Sequence, residues 1–412
     1  MKTGKRVALV LSVVFAGLMA LSCKTQKEQP QQDIVEQVEP ALEQPQQSQA
    51  APNVTAYIRT WALGDDETER AKQRFWTADM IHGEYLSEII IAFALINQDD
   101  KSSIYLSDGE PENLWQEVAA VKNRFPHLKV NLSVGGWGAE FTDTAFDPDL
   151  RAKFIANVCD WLKEYNLDGI DIDWEYPVGP AWGEEIKAHP EDRENFIALL
   201  SEFRAALDAQ GANVGKRYGL SAAIPASPWY VTQNDVLTVA SIVDNLKLMA
   251  YDYYGGWSAT TGHLANLRNN PADPDGWSTE QAVNVYLNAG VAPEKIVLGL
   301  SFYGRAWSGV EDGGTNGLFQ KYAQSAYPDG VVYSVIKELA KEGSGYTRYW
   351  DEVAQAPYLY NGDVLITYTD AEAIALIATY AKEKGLGGVM VWEYAHNIEG
   401  DLFKVLNENF QK

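Results

Sequence analysis

The chain has 412 residues, 46% of them hydrophobic and only 22% charged, which fits a folded globular protein and excludes a largely disordered one. Its net charge of −24 argues against nucleic acid as a partner and against adhesion to anionic lipid, since both need concentrated Lys and Arg. A neutral polymer such as a carbohydrate meets no such penalty, and the 13 Trp and 22 Tyr offer faces on which sugar rings stack.

The N-terminus reads as an address. Lys2, Lys5 and Arg6 precede an apolar run from Val7 to Leu21, which ends at Ser22-Cys23. This resembles a bacterial lipoprotein signal over residues 1–23, with Cys23 as the lipidated residue, although Ala20 stands where such signals usually carry Leu. Residues 24–53 are rich in Gln, Glu and Pro and read as a solvated, disordered tether. The expectation is an exported protein, membrane-anchored through lipid on Cys23 and otherwise secreted, with no other membrane contact. Cys159, in an amphipathic pattern, reads as a buried small hydrophobe.

From residue 54 to the C-terminus the pattern is regular. Strand-like runs recur at Val54–Trp61, Glu88–Ile96, Leu128–Gly135, Leu167–Tyr176, Tyr218–Ile224, Ile242–Tyr251, Lys295–Tyr303 and Gly388–Tyr394. Helical patterns separate them, clearest at Asn113–Phe125, Leu150–Tyr165, Asp192–Ala209, Thr279–Ala289 and Ala371–Lys384; the first and fifth are weakly marked. Eight strands alternating with helices predict an α/β fold, a (β/α)8 TIM barrel. The competing doubly wound sheet lacks a glycine-rich loop after its first strand. Residues 306–366 are too long for an ordinary loop and read as a small α+β insertion between strand 7 and helix 7, raising one wall of a cleft.

The run from Leu167 to Tyr176 carries the chemistry. Alternation along a strand puts Asp171, Asp173 and Glu175 on one face and Ile170, Ile172 and Trp174 on the other. In a strand covered on both faces, three carboxyls cost several kcal/mol each unless paired, protonated or facing a polar cleft, about 3–5 kcal/mol for an unpaired charge. Same-face residues lie about 6.6 Å apart, so neighbouring carboxyls can share hydrogen bonds and at least one should hold a proton. A protonated Glu175 at a cleft rim is a general acid. The same carboxyls could instead bind Mg²⁺ or Ca²⁺, but a metal site usually recruits several strands, so proton chemistry is favoured and neither metal nor cofactor is expected. Asp168 has the opposite parity and reads as a structural carboxylate at the strand entrance.

Asp168-Gly169-Ile170-Asp171-Ile172-Asp173-Trp174-Glu175 resembles the DxxDxDxE signature of glycoside hydrolase family 18, the chitinase family. Ser133-Val134-Gly135-Gly136-Trp137 resembles its third-strand SxGG segment, and Met249-Ala250-Tyr251-Asp252 its sixth-strand motif. Gly388-Val389-Met390-Val391-Trp392 resembles its last strand, and Phe302-Tyr303-Gly304-Arg305 resembles members with the chitinase insertion domain. The resemblance implies hydrolysis of β-1,4-linked N-acetylglucosamine in chitin or another such glycan, with retention through attack by the substrate's own acetamido oxygen. It implies Glu175 as acid and then base, with Asp173 orienting the acetamido N–H and Asp171 adjusting the proton on Asp173. Tyr251 would bond the acetamido carbonyl and Asp252 the distorted sugar. Trp392 would floor the reacting ring's subsite, and Trp137 would stack the next sugar on the leaving side.

Tyr176 is a site candidate because the loop after Glu175 begins there. Met249 and Phe93 read as pocket packing, Tyr57 and Tyr303 as pocket wall or ordinary barrel-top residues. Arg305 reads as a sugar contact or an ion pair holding the insertion, and Trp182 as part of a loop that could line the cleft. Peptidoglycan and the chitobiose core of N-glycans remain alternative substrates. A chitin-binding lectin is the rival of another class, against which the retained Glu175 counts. The expected state is a monomer.

Overall fold

The computed structural model describes residues 53–62, 75–107, 111, 113–179 and 187–410. The leader, Cys23, Trp182 and the expected tether up to residue 52 lie outside them, whereas Asn53, expected to end the tether, opens the first strand. The eight barrel strands are Asn53–Arg59, Glu88–Ile96, Lys129–Gly135, Gly169–Asp173, Gly219–Pro225, Asn245–Met249, Ile296–Ser301 and Gly388–Trp392. Each pairs in parallel with the next, and the first also pairs with the eighth, which closes the barrel. Strand parity separates two environments. Ile58, Leu132, Ile170, Ile172, Leu248 and Val391 face the helices in one large hydrophobic core. Tyr57, Ile90, Ala92, Val297 and Met390 form a separate apolar cluster, which Phe93, Met249, Tyr251 and Trp392 join from one end.

The helices fall close to the sequence pattern. Pro148–Glu164 starts two residues earlier than predicted because Asp147 accepts hydrogen bonds from the backbone N–H of Asp149 and Leu150, with Pro148 in the first turn. Asp192–Val214 runs five residues past the expected end, through Gly211. That glycine is a packing requirement: a Cβ there would lie 2.1 Å from the carbonyl oxygen of Lys216. The weakly marked fifth helix is two short ones, Pro228–Gln233 and Val236–Ile242.

The seventh barrel strand ends at Ser301, two residues before the predicted limit, so Tyr303 and Arg305 begin a second sheet. That sheet has antiparallel strands Tyr303–Ser308, Gln324–Ser325, Thr347–Asp351, Ala356–Tyr360 and Leu365–Thr367, with Val331–Val332 paired to the first and helix Tyr333–Leu339 following. Trp307, Tyr358, Tyr360 and Leu365 give it its own core. Tyr254, from the loop after the sixth barrel strand, belongs to that core and ties the insertion to the barrel mouth. The buried His263 ring, on the same loop, adds a bond of 3.1 Å from Nε2 to Asp351.

The barrel interior also buries a complete ion pair. Lys247 is fully buried, with its Nζ 2.9 Å from Glu88 Oε2, and Glu88 also accepts from Thr55 Oγ1 at 2.6 Å. These residues sit one inward-facing step nearer the strand N-termini than Met249, Ile90 and Tyr57. In this fold such a layer supports stability, while chemistry gathers at the C-terminal strand ends.

Candidate active site

The acidic strand fixes the centre of the site. Asp171 is fully buried and accepts three hydroxyl hydrogen bonds: from Tyr57 Oη at 2.8 Å and Ser133 Oγ at 2.9 Å to Oδ2, and from Ser221 Oγ at 2.6 Å to Oδ1. The sequence offered Asp173 as its partner instead. Yet Asp173, only 4% exposed, leaves its Oδ1 with no hydrogen-bond partner. Burial, followed by the nearby carboxyls of Glu175 and Asp171, pushes the Asp173 acid well above the ordinary carboxylate range and so favours its protonated form.

Glu175 lies two residues beyond the regular strand and is half-buried. Burial raises its acid to about 7; a Tyr176 side-chain hydrogen bond works against that rise and the Asp252 charge works with it. A carboxylic acid poised near neutrality at the mouth of a barrel suits proton donation and return in one cycle. Asp168, by contrast, stands at the strand entrance, its carboxylate 2.7 Å from both Lys122 and Lys216 and accepting from Val130 N–H.

Two glycines position this strand. A Cβ on Gly135 would lie 2.0 Å from the Asp173 carbonyl oxygen, and the Gly136 N–H donates to that oxygen at 2.9 Å. Both glycines have positive φ, so their lack of a side chain serves conformation as well as approach. The third strand thereby holds the backbone of Asp173 directly. Trp174, on the opposite face, packs against Phe141 and Phe196.

Aromatic rings surround the acids. Phe93 stacks on Trp392 at 5.3 Å, with Tyr57 at 5.8 Å and Trp61 at 6.4 Å from the same indole. Behind that floor the buried Arg59 and Glu393 form an ion pair of 2.7 Å, joining the first strand to the end of the eighth. Tyr251 stands edge-on to Tyr303 at 6.3 Å, and Gly299 lets the seventh strand approach the sixth beside it, since a Cβ there would lie 2.4 Å from the Leu248 carbonyl oxygen and 3.0 Å from the Tyr251 ring. Burial, and then the neighbouring acids Asp173, Glu175 and Asp252, keep the Tyr251 phenol protonated. Tyr176 is buried and packs edge-on to Tyr230.

Asp252 adopts a left-handed conformation at φ +58° and receives both arms of Arg305, at 2.9 and 2.8 Å. The guanidinium lies 5.2 Å from the rings of both Trp257 and Tyr303. Arg305 is therefore an ion-pair residue, and because it stands on the first strand of the insertion it locks that element to the barrel loop. Trp137 and Trp257 are about two-thirds exposed, Trp137 as an open platform for a flat ligand and Trp257 with the Arg305 guanidinium over its ring. Met249 and Phe93 are packing residues of the interior cluster.

The structure adds Ser221, Trp61, Trp257, Arg59 and Glu393 to the residues singled out from the sequence. Ser221 carries no local signal, and only strand pairing reveals it, by putting Ser133, Asp171 and Ser221 opposite one another in one row. Among the described residues, no group of three or more His, Cys, Asp or Glu is arranged to hold a metal ion.

Residues 53–396 match the sequence profile described as Glycosyl hydrolases family 18. Chitinase A1 of Niallia circulans is 37% identical over 311 residues, a match that takes in 72% of this chain and 44% of that protein, so the chain spans less than half of that relative. A family 18 N-acetylglucosaminidase from Paenibacillus barengoltzii superposes with a TM-score of 0.75 at 32% identity, over 87% of this chain and 99% of that one. The group IV chitinase of Ostrinia furnacalis, solved with allosamidin, gives 0.76 at 27% identity over 87% and 98%.

The electrostatics predict a titration. In carboxyl ¹³C NMR of the free protein, Glu175 should titrate near pH 7, and Asp252→Asn should lower that midpoint by removing a like charge. An unmoved or raised midpoint in the variant contradicts the assigned coupling.

Proposed function

Because this chain belongs to family 18 of the glycosyl hydrolases, we propose that it is a retaining chitinase that cleaves β-1,4-linked N-acetylglucosamine chains with the help of the substrate's own acetamido group. The observation that carries this reading is the buried, unpartnered Oδ1 of Asp173, two residues from an acid poised near pH 7. A buried acceptor left without a donor is costly, and an acetamido N–H supplies what it lacks.

Glu175 gives its proton to the glycosidic oxygen as the bond from that oxygen to the anomeric carbon breaks. The acetamido oxygen bonds the same carbon on the opposite face and forms a cyclic oxazolinium ion, an exception to the scheme with a carboxylate nucleophile. Asp173 accepts the N–H and steadies the positive ring, while the Tyr251 hydroxyl donates to the acetamido oxygen and aims it. Glu175, now a carboxylate, takes a proton from water, which attacks the anomeric carbon and opens the ring with retention. Trp392 forms the floor under the reacting sugar, and Trp137 offers a platform for the next.

Chitin is favoured over other N-acetylglucosamine glycans by the names of the relatives and by the wall the insertion adds to the cleft. The similarity to an N-acetylglucosaminidase gives weight to a second reading, release of single sugars from chain ends. We also propose export of the chain with lipid attached at Cys23, supported by the basic, apolar and small-residue pattern before it.

Glu175→Gln should lower kcat on chitooligosaccharides about 10²–10⁴-fold while binding persists, and an active variant removes the acid assignment. Product analysis on chitin, peptidoglycan and N-glycans side by side tests the substrate: chitooligosaccharide fragments mark a chitinase, single sugars alone the second reading, and no products from chitin contradict both. Labelled fatty acid should enter the chain in a bacterial host and be lost in Cys23→Ala; equal labelling of the two contradicts the anchor.

A further inference from the structure

The mechanism above uses Glu175, Asp173 and Tyr251 on the substrate and leaves Asp171 behind them. What keeps the shared proton on Asp173 rather than on Asp171 is a separate question, and hydrogen-bond polarity answers it. All three partners of Asp171 are hydroxyls, and a hydroxyl gives its hydrogen most strongly to an anionic oxygen. Tyr57 and Ser133 both point at Oδ2, so Oδ1 depends on Ser221. The Ser221 bond is the shortest of the three at 2.6 Å, within the range of charge-assisted O–H···O⁻ bonds. Ser221 is 3% exposed and stands directly opposite Asp171 in the pairing of the fourth and fifth strands, so no movement of a loop can withdraw it.

We propose that Ser221 is a positioning residue whose hydroxyl holds Asp171 as an anion and thereby keeps the shared proton on Asp173, where the acetamido group needs it. A proton placed on Asp171 Oδ1 would have to turn the Ser221 hydroxyl from donor to acceptor. The strand above Asp171 adds two further acids, Asp173 and Glu175, and the phenols of Tyr57 from the first strand and Tyr251 after the sixth are kept protonated by burial and by these acids. The buried cation of the interior, Lys247, bonds Glu88 at 2.9 Å and Asn245 at 3.2 Å in the layer below, and the side chains that bond Asp171 itself are hydroxyls, so hydroxyl donation is the direct device that stabilises its charge. The proposal rests on the acetamido mechanism for its consequence, but its structural content concerns Asp171 alone.

Ser221→Ala tests it, since alanine fits a strand whose next two residues are already Ala222 and Ala223. Two readouts separate the claims. Carboxyl ¹³C NMR, with Asp171 assigned by difference against Asp171→Asn, should show its protonation step about one pH unit higher in the variant than in the parent, as expected for losing one hydrogen bond to a charged group. That readout needs no substrate, so it stands even if the proposed activity fails. In the rate profile on chitooligosaccharides, the acidic limb of kcat/KM should rise by a similar amount while the basic limb set by Glu175 stays in place. Ser221→Thr should restore the parental profile, and Ser221→Cys, a weaker donor of similar size, should lie between. A Ser221→Ala variant that loses rate equally at every pH, with the Asp171 step unmoved, overturns the proposal and leaves Ser221 as packing. If the alanine variant does not fold, the same comparison of midpoints in Ser221→Cys decides the matter.

Discussion

Three carboxyl groups on one face of one buried strand cannot all be charged, and the rest of the site follows from how that conflict is resolved. Asp171 is surrounded by hydroxyl donors from three other strands. Asp173 has a bare oxygen and a raised acid, and Glu175 stands at the mouth beside the charge of Asp252. Three side chains of nearly equal intrinsic acidity are thus given three environments. The gradient runs from donors at depth to a proton at the rim, along a single strand.

Holding that gradient requires a rigid frame, and each supporting contact comes from a different strand. Gly135 and Gly136 let the third strand close on the Asp173 backbone, and Gly299 lets the seventh close on the Leu248 carbonyl of the sixth, just before Tyr251. The Arg59–Glu393 pair fastens the first strand to the eighth directly behind Trp392. The Asp252–Arg305 pair fastens the insertion to the sixth-strand loop, with the cation held between Trp257 and Tyr303. Contacts of this kind are buried or bidentate, which is where ion pairs fix geometry.

Much of this was legible because strand parity is a local property. Asp171, Asp173, Glu175 and their hydrophobic opposites could be sorted from ten consecutive residues, and the eight strands followed from alternating periods. What escaped was whatever depended on register or distance. Ser221 lies in an unremarkable Leu-Ser-Ala-Ala-Ile run and gains meaning only opposite Asp171. Arg59 and Glu393 are 334 residues apart, and no local pattern links them. The boundary at Ser301 was missed because Tyr303–Ser308 is itself a strand, so the chain passes from one sheet to another within two residues. The helix from Asp192 outruns its expected end at Ala209 because Gly211 packs against the Lys216 carbonyl, a contact that lies beyond the helix and leaves no local signal.

The central claim is that the substrate's acetamido oxygen is the nucleophile and that the divided carboxyls serve it. A series of aryl chitobiosides in which the reacting sugar carries acetyl, fluoroacetyl, difluoroacetyl and trifluoroacetyl groups on nitrogen measures this directly, because each fluorine weakens that oxygen while leaving the leaving group untouched. The account predicts kcat/KM falling steeply and steadily along the series. A flat series would contradict it and would mean that another group attacks the anomeric carbon.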